Sequence, residues 1–326
     1  DLILRSEKAL TVKNLVTDSA IYTVLMQQFS FLKGVVPVGM HDPEMLRDKI
    51  TYTSGLTNVE MHVGSYIDIY TKLPIFFRKE LLLPVTTVVI DEVSTTAIEL
   101  PETPTYRVSK IYDQENNDAG VQFTIHIPEM TTYLSSMGRQ YLLVPDSFLG
   151  TTLTVVIDHV ENYMEVQDYV TTKGNRTIVS NSLVKAKFPL YLSFDLNYYA
   201  VTEVISDEVT TIIQDFVHSG EVEENLYVAS IIDEVTSNFS ITIQLPLVIT
   251  GTLLLPNGKQ MDIEFEDKIA VPSRYLLTDT GEYLPYFENT ENPNNYEIGN
   301  MTDLQISEAT TRYVLDKQDI VVKKVG

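Results

Sequence analysis

"KAKFPLYLSFDLNYYAVTEVISDEVTTIIQDFVHSG", residues 185–220, decides the fold class. In its first half Phe188, Leu190, Leu192 and Phe194 alternate with Pro189, Tyr191, Ser193 and Asp195. Successive side chains of a strand point to opposite faces, so a period of two predicts a strand with one face buried. Pro189 cannot donate to a ladder and is expected at the strand's start or on an edge. The period then changes. Val209, Ile212, Ile213, Phe216 and Val217 recur at helical spacing, which predicts an amphipathic helix capped by Ser206 and closed by Gly220. A shorter stripe, Val228, Ile231, Ile232 and Val235, predicts a second helix, and "SITIQLPLVI" (240–249) predicts a strand after it. The expected unit is strand-helix-helix-strand over residues 185–246.

Upstream, "DSAIYTVLMQQFSFLKG" (18–34) predicts a helix with Ile21, Val24, Leu25 and Leu32 on one face. Asp18 or Ser19 would cap it, and Gly34 would stop it. "HDPEMLRDKI" (41–50) predicts a shorter helix with Asp42 as N-cap and Pro43 in the first helical position. The chain then turns to β, with two short strands around Gly64-Ser65 and further strands in "LLLPVTTVVI" (81–90) and "TAIEL" (96–100). Residues 105–127 read as a hairpin around a polar loop, and "QYLLVP" and "TTLTVVIDHV" as strands. "NYMEVQDYVTTKGNR" (162–176) predicts a short helix ending near Gly174. Asn257-Gly258 marks a hairpin turn between two late strands. Residues 279–300 read as a long polar surface loop, followed by one or two strands at the end. The fold class is therefore α+β: a β-rich, multidomain chain with a few short amphipathic helices. The expected divisions are 1–75 (helical and β), 76–178 (β-rich), 179–250 (α+β) and 251–326 (β).

The chain has 326 residues, enough for about two to four domains. It carries 45 acidic against 23 basic residues, a formal charge of −22, which repels phosphate backbones and anionic lipid and argues against nucleic-acid or membrane partners. It has no cysteine, which excludes disulfides, thiolate metal sites and cysteine nucleophiles. No apolar run reaches the roughly 18 residues of a membrane span, and the first residues lack the shape of a signal peptide. A chain starting at Asp1 is expected to be processed or truncated.

The search for chemistry finds no GxSxG, P-loop, GxGxxG or HExxH. His41, His62, His126, His159 and His218 are too scattered for a local metal pair. Asp113, Glu115, Asn117 and Asp118 suggest a calcium loop, but Asp118 stands where an EF-hand needs Gly, and Thr124 where it needs Glu. Asp233-Glu234 and Glu221 with Glu224 could be offered as glycosidase carboxylates, but so acidic a chain produces such pairs by composition. Asn175, Asn238 and Asn300 head glycosylation triplets, which matter only in a secreted protein. No catalytic, cofactor-binding or metal-binding residue is expected. Tyr283, Tyr286 and Phe287, in the polar loop, are the candidate partner contacts, because aromatic residues anchor interface centres.

"NSLVKAKFPLYLSFDLNYY", "SDEVTTIIQDFVHSG" and "YVASIIDEVTSNFSITIQL" together resemble the carboxy-terminal half of baseplate J-like proteins, including the baseplate wedge proteins of T4-like contractile-tailed phages. "DPEMLRDKI", with Glu44, Leu46, Arg47 and Ile50, is similar to an earlier acidic, arginine-bearing helix of that family. These motifs cover residues 40–70 and 180–245. The resemblance implies a structural, non-enzymatic virion protein of the tail baseplate, assembled in the host cytoplasm. It implies a homodimer that joins a ring, contacts to other wedge proteins and to the sheath-initiating protein, and rearrangement on contraction. The alternatives are a tail adhesin or receptor-binding protein and a glycan-cleaving enzyme.

Overall fold

The computed structural model describes residues 15, 17–39, 42, 45, 49–54, 57–62, 64, 66–90, 93–101, 104–113, 124–126, 140–172, 175, 181–200, 206–219, 226–254, 260–271, 274–277, 283–286, 302–305 and 311–325. The chain is α+β and rich in strand. It divides into two compact units, Asp1–Lys187 and Phe188–Gly326.

In chain order the first unit holds α1 (Asp18–Gln28), β1 (Val35–Val38), β2 (Lys49–Ser54), β3 (Thr57–His62), β4 (Tyr66–Thr71), β5 (Ile75–Pro84) and β6 (Thr86–Ile90). It continues with β7 (Val93–Leu100), β8 (Thr105–Tyr112), β9 (Thr124–His126), β10 (Gln140–Leu143), β11 (Thr152–Val160), α2 (Tyr163–Thr171) and β12 (Asn181–Ala186). α1 buries Ile21 and Leu25, as their spacing predicts. Its cap is Thr17, one residue before the expected Asp18 or Ser19; the Thr17 hydroxyl accepts the Ala20 N–H at 3.2 Å. The helix stops at Gln28, short of Gly34. Extended pairing takes over there: Lys33 N–H donates to Lys72 O at 3.0 Å, and Lys72 N–H to Gly34 O at 2.8 Å. Of the helix expected over 41–50, Asp42 accepts the Gly39 N–H on its carboxylate at 2.6 Å. Lys49 and Ile50 instead begin β2, which is tied to β3 by the register Lys49↔His62. The remainder of that segment lies outside the described residues.

Two sheets pack into a sandwich. One has the order β5-β11-β8 and the other β6-β7-β10-β9. Ile98, Leu100 and Leu142 of the second share one core with Val108, Ile111, Leu153, Val155 and Ile157 of the first. Among the described residues the hairpin expected over 105–127 is therefore not formed. β8 pairs with β11 and β9 with β10, because Val108 and Ile111 fill the core from the opposite sheet. β5 and β6 are separated only by Val85, so one nearly continuous run crosses from sheet to sheet. A third sheet, β1-β4-β12, carries α1 against β1 and α2 against β12.

The second unit holds β13 (Phe188–Tyr199), α3 (Ser206–Ser219), β14 (Leu226–Tyr227), α4 (Val228–Asn238), β15 (Thr242–Ile243), β16 (Val248–Leu254) and β17 (Gln260–Phe265). It ends with β18 (Lys268–Ile269), β19 (Arg274–Leu277), β20 (Tyr283–Tyr286), β21 (Thr302–Gln305), β22 (Thr311–Val314) and β23 (Ile320–Lys324). β13 is its axis. On one side Leu190–Asp195 pair antiparallel with β16, and Tyr198 and Tyr199 with β15. On the other, Phe188–Tyr191 pair parallel with β22 and Phe194–Tyr198 with β23. Phe188 to Leu192 are all buried, so both faces are covered at the start of β13, while from Ser193 to Tyr199 burial alternates as the period of two predicts. Pro189 lies one residue inside the start, where β16 has not yet begun to pair. The border expected at 250/251 falls inside β16, and β17, β22 and β23 join the sheet built on β13.

Leu190, Leu192, Phe194 and Leu196 form one core with Val209, Ile213 and Val217 of α3 and with Val228, Ile231 and Val235 of α4. Ile212, Phe216 and Ile232 are half-buried against it. Ser206 is the first helical residue of α3. Gly251 of β16 sits where a Cβ would lie 2.7 Å from Phe265 Cε2 and 3.0 Å from Leu190 Cδ1. Gly251→Ala is expected to cost about 1–3 kcal/mol by overpacking. Ile213→Ala, which opens a cavity at a fully buried site, is expected to cost about 2–5 kcal/mol. Chemical denaturation measures both, and an unchanged midpoint for either would contradict this core.

Candidate functional site

The structure places two of the three candidate contacts on one strand. Tyr283 and Tyr286 end β20, which pairs antiparallel with β19 through Tyr283↔Leu277 and Tyr286↔Arg274. The segment read as a surface loop over 279–300 thus contains a strand, because a pairing partner was available outside it in β19. Phe287 lies outside the described residues.

The described histidines lie on separate elements: His62 is on β3, His126 on β9, His159 on β11 and His218 on α3. His41 lies outside the described residues. His159 is fully buried, with Nε2 3.4 Å from Glu161 Oε1. His218 Nε2 accepts the Leu315 N–H at 3.1 Å and so ties α3 to the segment after β22. Among the described residues, no three His, Asp or Glu side chains are grouped to hold a metal. Asp233 and Glu234 are adjacent on α4, and Glu234 accepts from the Asn238 amide at 3.2 Å. Glu221, Glu224, Asn300 and residues 115–118 of the calcium-like loop lie outside the described residues.

Several buried polar groups of the first unit are held by hydrogen bonds to side chains or backbone. Lys185 Nζ of β12 donates to Asp68 Oδ2 of β4 at 2.5 Å, with both side chains nearly inaccessible. Asp158 of β11 accepts the Arg78 N–H at 2.8 Å and Arg107 Nε at 3.0 Å. Arg78 has φ of 55°, beside the register shift that β11 makes against β5. The carboxylate thus satisfies a donor that the irregular ladder leaves over. Gln140 of β10 accepts the Thr105 N–H at 2.6 Å and donates to Thr105 O at 3.0 Å, which staples the two sheets of the sandwich. Burial pushes the Tyr163 phenol well above its ordinary pKa. The paired groups hold the scaffold together.

Sequence reasoning missed the exposed edge. Leu82, Val89, Val93 and Leu149 expose 69%, 70%, 62% and 50% of their surface, and all lie on β5, β6, β7 or the turn before β11. β6 ends its sheet. From Leu81 to Ile90 the chain carries no charge, although Arg78, Lys79 and Glu80 precede this run and Asp91 and Glu92 follow it.

Other edges are managed differently. At β12 the Gln167 amide accepts the Val184 N–H at 2.7 Å and donates to Ser182 O at 3.4 Å, occupying groups a further strand would use. β17 exposes Gln260, Asp262 and Glu264. β23 carries Lys323 and Lys324. Charge and side-chain cover are the usual means of preventing edge pairing, and among the described residues β6 has neither. An uncharged, β-branched window, "VTTVVI" (85–90), was the signal available in the sequence.

Lys185→Met should leave Asp68 buried without its lysine and cost about 3–5 kcal/mol. Gln140→Ala should cost about 1–3 kcal/mol by removing both buried hydrogen bonds to the Thr105 backbone. Urea titration measures both; a loss below about 1 kcal/mol for Lys185→Met would show that water replaces the pair.

No family model matches the chain, and no curated protein matches it.

Proposed function

We propose that this chain is a structural component of a contractile-tail baseplate, acting by presenting surfaces to copies of itself and to neighbouring baseplate proteins. The observation that carries this reading is the unit made by β13, α3, α4 and β15. The stretches that resemble the J-like family form these elements in order, and they share one core through Leu192, Phe194, Val209, Ile213, Ile231 and Ile243. An uncharged exposed edge in the first unit adds to it, since assembly proteins need surfaces on which like-charged copies can meet.

In this reading the chain has no catalysis of its own. It resides in the virion, forms dimers within a ring, contacts wedge neighbours and the sheath-initiating protein, and shifts when the tail contracts. Affinity capture of the tagged chain from phage-infected cells, followed by mass spectrometry, tests the assignment. Recovery of other tail proteins is expected; recovery of none from cells that make tails would contradict it.

Charge gives an independent expectation. At −22 per chain, copies repel at long range, and salt screens that repulsion with a Debye length of about 8 Å at physiological ionic strength. Self-association should therefore strengthen from low to moderate salt in sedimentation velocity. A strict monomer at high concentration and moderate salt would contradict the self-assembling role.

A further inference from the structure

The geometry points to one surface for that self-assembly: β6 pairs antiparallel with β6 of a second copy, about a two-fold axis at Val88. The inference deepens the assembly reading and rests on it, while the geometry of the edge stands by itself.

The backbone comes first. Among the described residues β6 pairs with β7 alone, in the register Thr86↔Ala97, Thr87↔Thr96, Val88↔Thr95, Val89↔Ser94 and Ile90↔Val93. Two residues separate Ile90 from Val93, so that pair closes the hairpin with its N–H and C=O groups turned inward. Antiparallel pairs alternate between hydrogen-bonded and non-hydrogen-bonded. Val88 and Thr86 thus spend their groups on β7, and Thr87 and Val89 aim an N–H and a C=O each away from the sheet. Thr86, Thr87 and Val89 are exposed, so the edge is accessible.

The two-fold register then follows. With Val88 opposite the second copy's Val88, Thr87 faces Val89 of the second copy, and Val89 faces its Thr87. These two pairs are hydrogen-bonded ones, and they use all four outward groups. The Val88 pair between them is a non-hydrogen-bonded pair, as alternation demands. Every cross-strand pair is β-branched, which is favourable on a pleated surface. The product is one continuous sheet, from β9 of one copy through both β6 strands to β9 of the other.

Charge selects the occupant. A two-fold contact sets each residue against its own neighbourhood, so a charged self-pairing strand would oppose like charges. The run Leu81–Ile90 is uncharged in a chain of −22. A basic partner would be drawn to the acidic surface elsewhere, with no preference for a neutral edge. A second copy brings an uncharged strand of the same length and the complementary register. So short an interface lies at the low end of interface size, which fits weak association that a ring would reinforce through its other contacts.

The absence of cysteine makes the test direct. Val88→Cys places two thiols across a non-hydrogen-bonded pair, where Cα atoms lie about 4.5 Å apart, within disulfide range. Mild oxidation of this variant of the 326-residue chain should give a disulfide-linked dimer at least about tenfold faster than Val93→Cys, which is exposed but off the axis. Adding Val89→Lys to Val88→Cys should abolish the cross-link with unchanged far-UV circular dichroism. Equal rates for Val88→Cys and Val93→Cys would overturn the inference. Sedimentation velocity of Val89→Lys, without the cysteine, separates the remaining outcomes. A dimer in wild type that becomes monomer in Val89→Lys supports the β6 contact. A dimer that persists in Val89→Lys overturns this surface and leaves the assembly reading standing. A wild type that stays monomeric at the highest concentration overturns both.

Discussion

Backbone hydrogen bonding governs this chain, because every strand must satisfy an N–H and C=O row on each of its two sides. β13 meets the requirement over most of its length, with β15 and β16 on one side and β22 and β23 on the other. That arrangement gathers residues 188–325 into one unit: strands far apart in sequence are held there by one central ladder. The helices follow from it. With Leu190, Leu192, Phe194 and Leu196 aligned on one face, the stripes of α3 and α4 have a surface to cover. Gly251 is the close-contact point in that layer, admitting the Phe265 ring and Leu190 where any Cβ would stand.

The same requirement explains the edges. At β12 a glutamine amide stands in for a strand, and at β17 and β23 charge keeps other strands away. Among the described residues β6 is left bare, and it is neutral. An evenly acidic protein gains solubility from repulsion and loses the ability to pack against itself, unless some patch is relieved of charge. The proposed β6 contact reconciles these demands: long-range repulsion keeps copies apart except where an uncharged ladder can form. The buried polar groups serve rigidity. Gln140 fixes one sheet of the sandwich on the other, and Asp158 absorbs the irregularity opposite Arg78, so that the edge is presented on a firm support.

Periodicity carried much of the fold in advance. The 188–199 strand, both following helix stripes, α1, α2 and the strands around Gly64 follow from patterns of two and of 3.6 that local residues write unaided. What local pattern could not show was pairing. The 105–127 hairpin failed because sequence neighbours are only one choice of partner, and the core of the sandwich drew β8 to β11. The helix end expected at Gly34 failed because Lys72, distant in sequence, offers that segment a ladder. Pairing of β13 on both edges depended on strands arriving from residues 248–324. The candidate site was less legible still. Aromatic residues in a polar segment drew attention to Tyr283 and Tyr286, whereas the bare edge was written as a missing property, the lack of charge over Leu81–Ile90. That lack becomes a surface only once the topology puts β6 at the end of its sheet.

Amide hydrogen exchange along β6, followed by NMR as protein concentration rises at moderate salt, tests the central claim most directly. The account predicts that the Thr87 and Val89 amides, open at low concentration, become protected together as copies pair, while the Val88 amide is protected throughout by β7. Thr87 and Val89 amides that exchange equally fast at every concentration, in a protein that nonetheless self-associates, would contradict it.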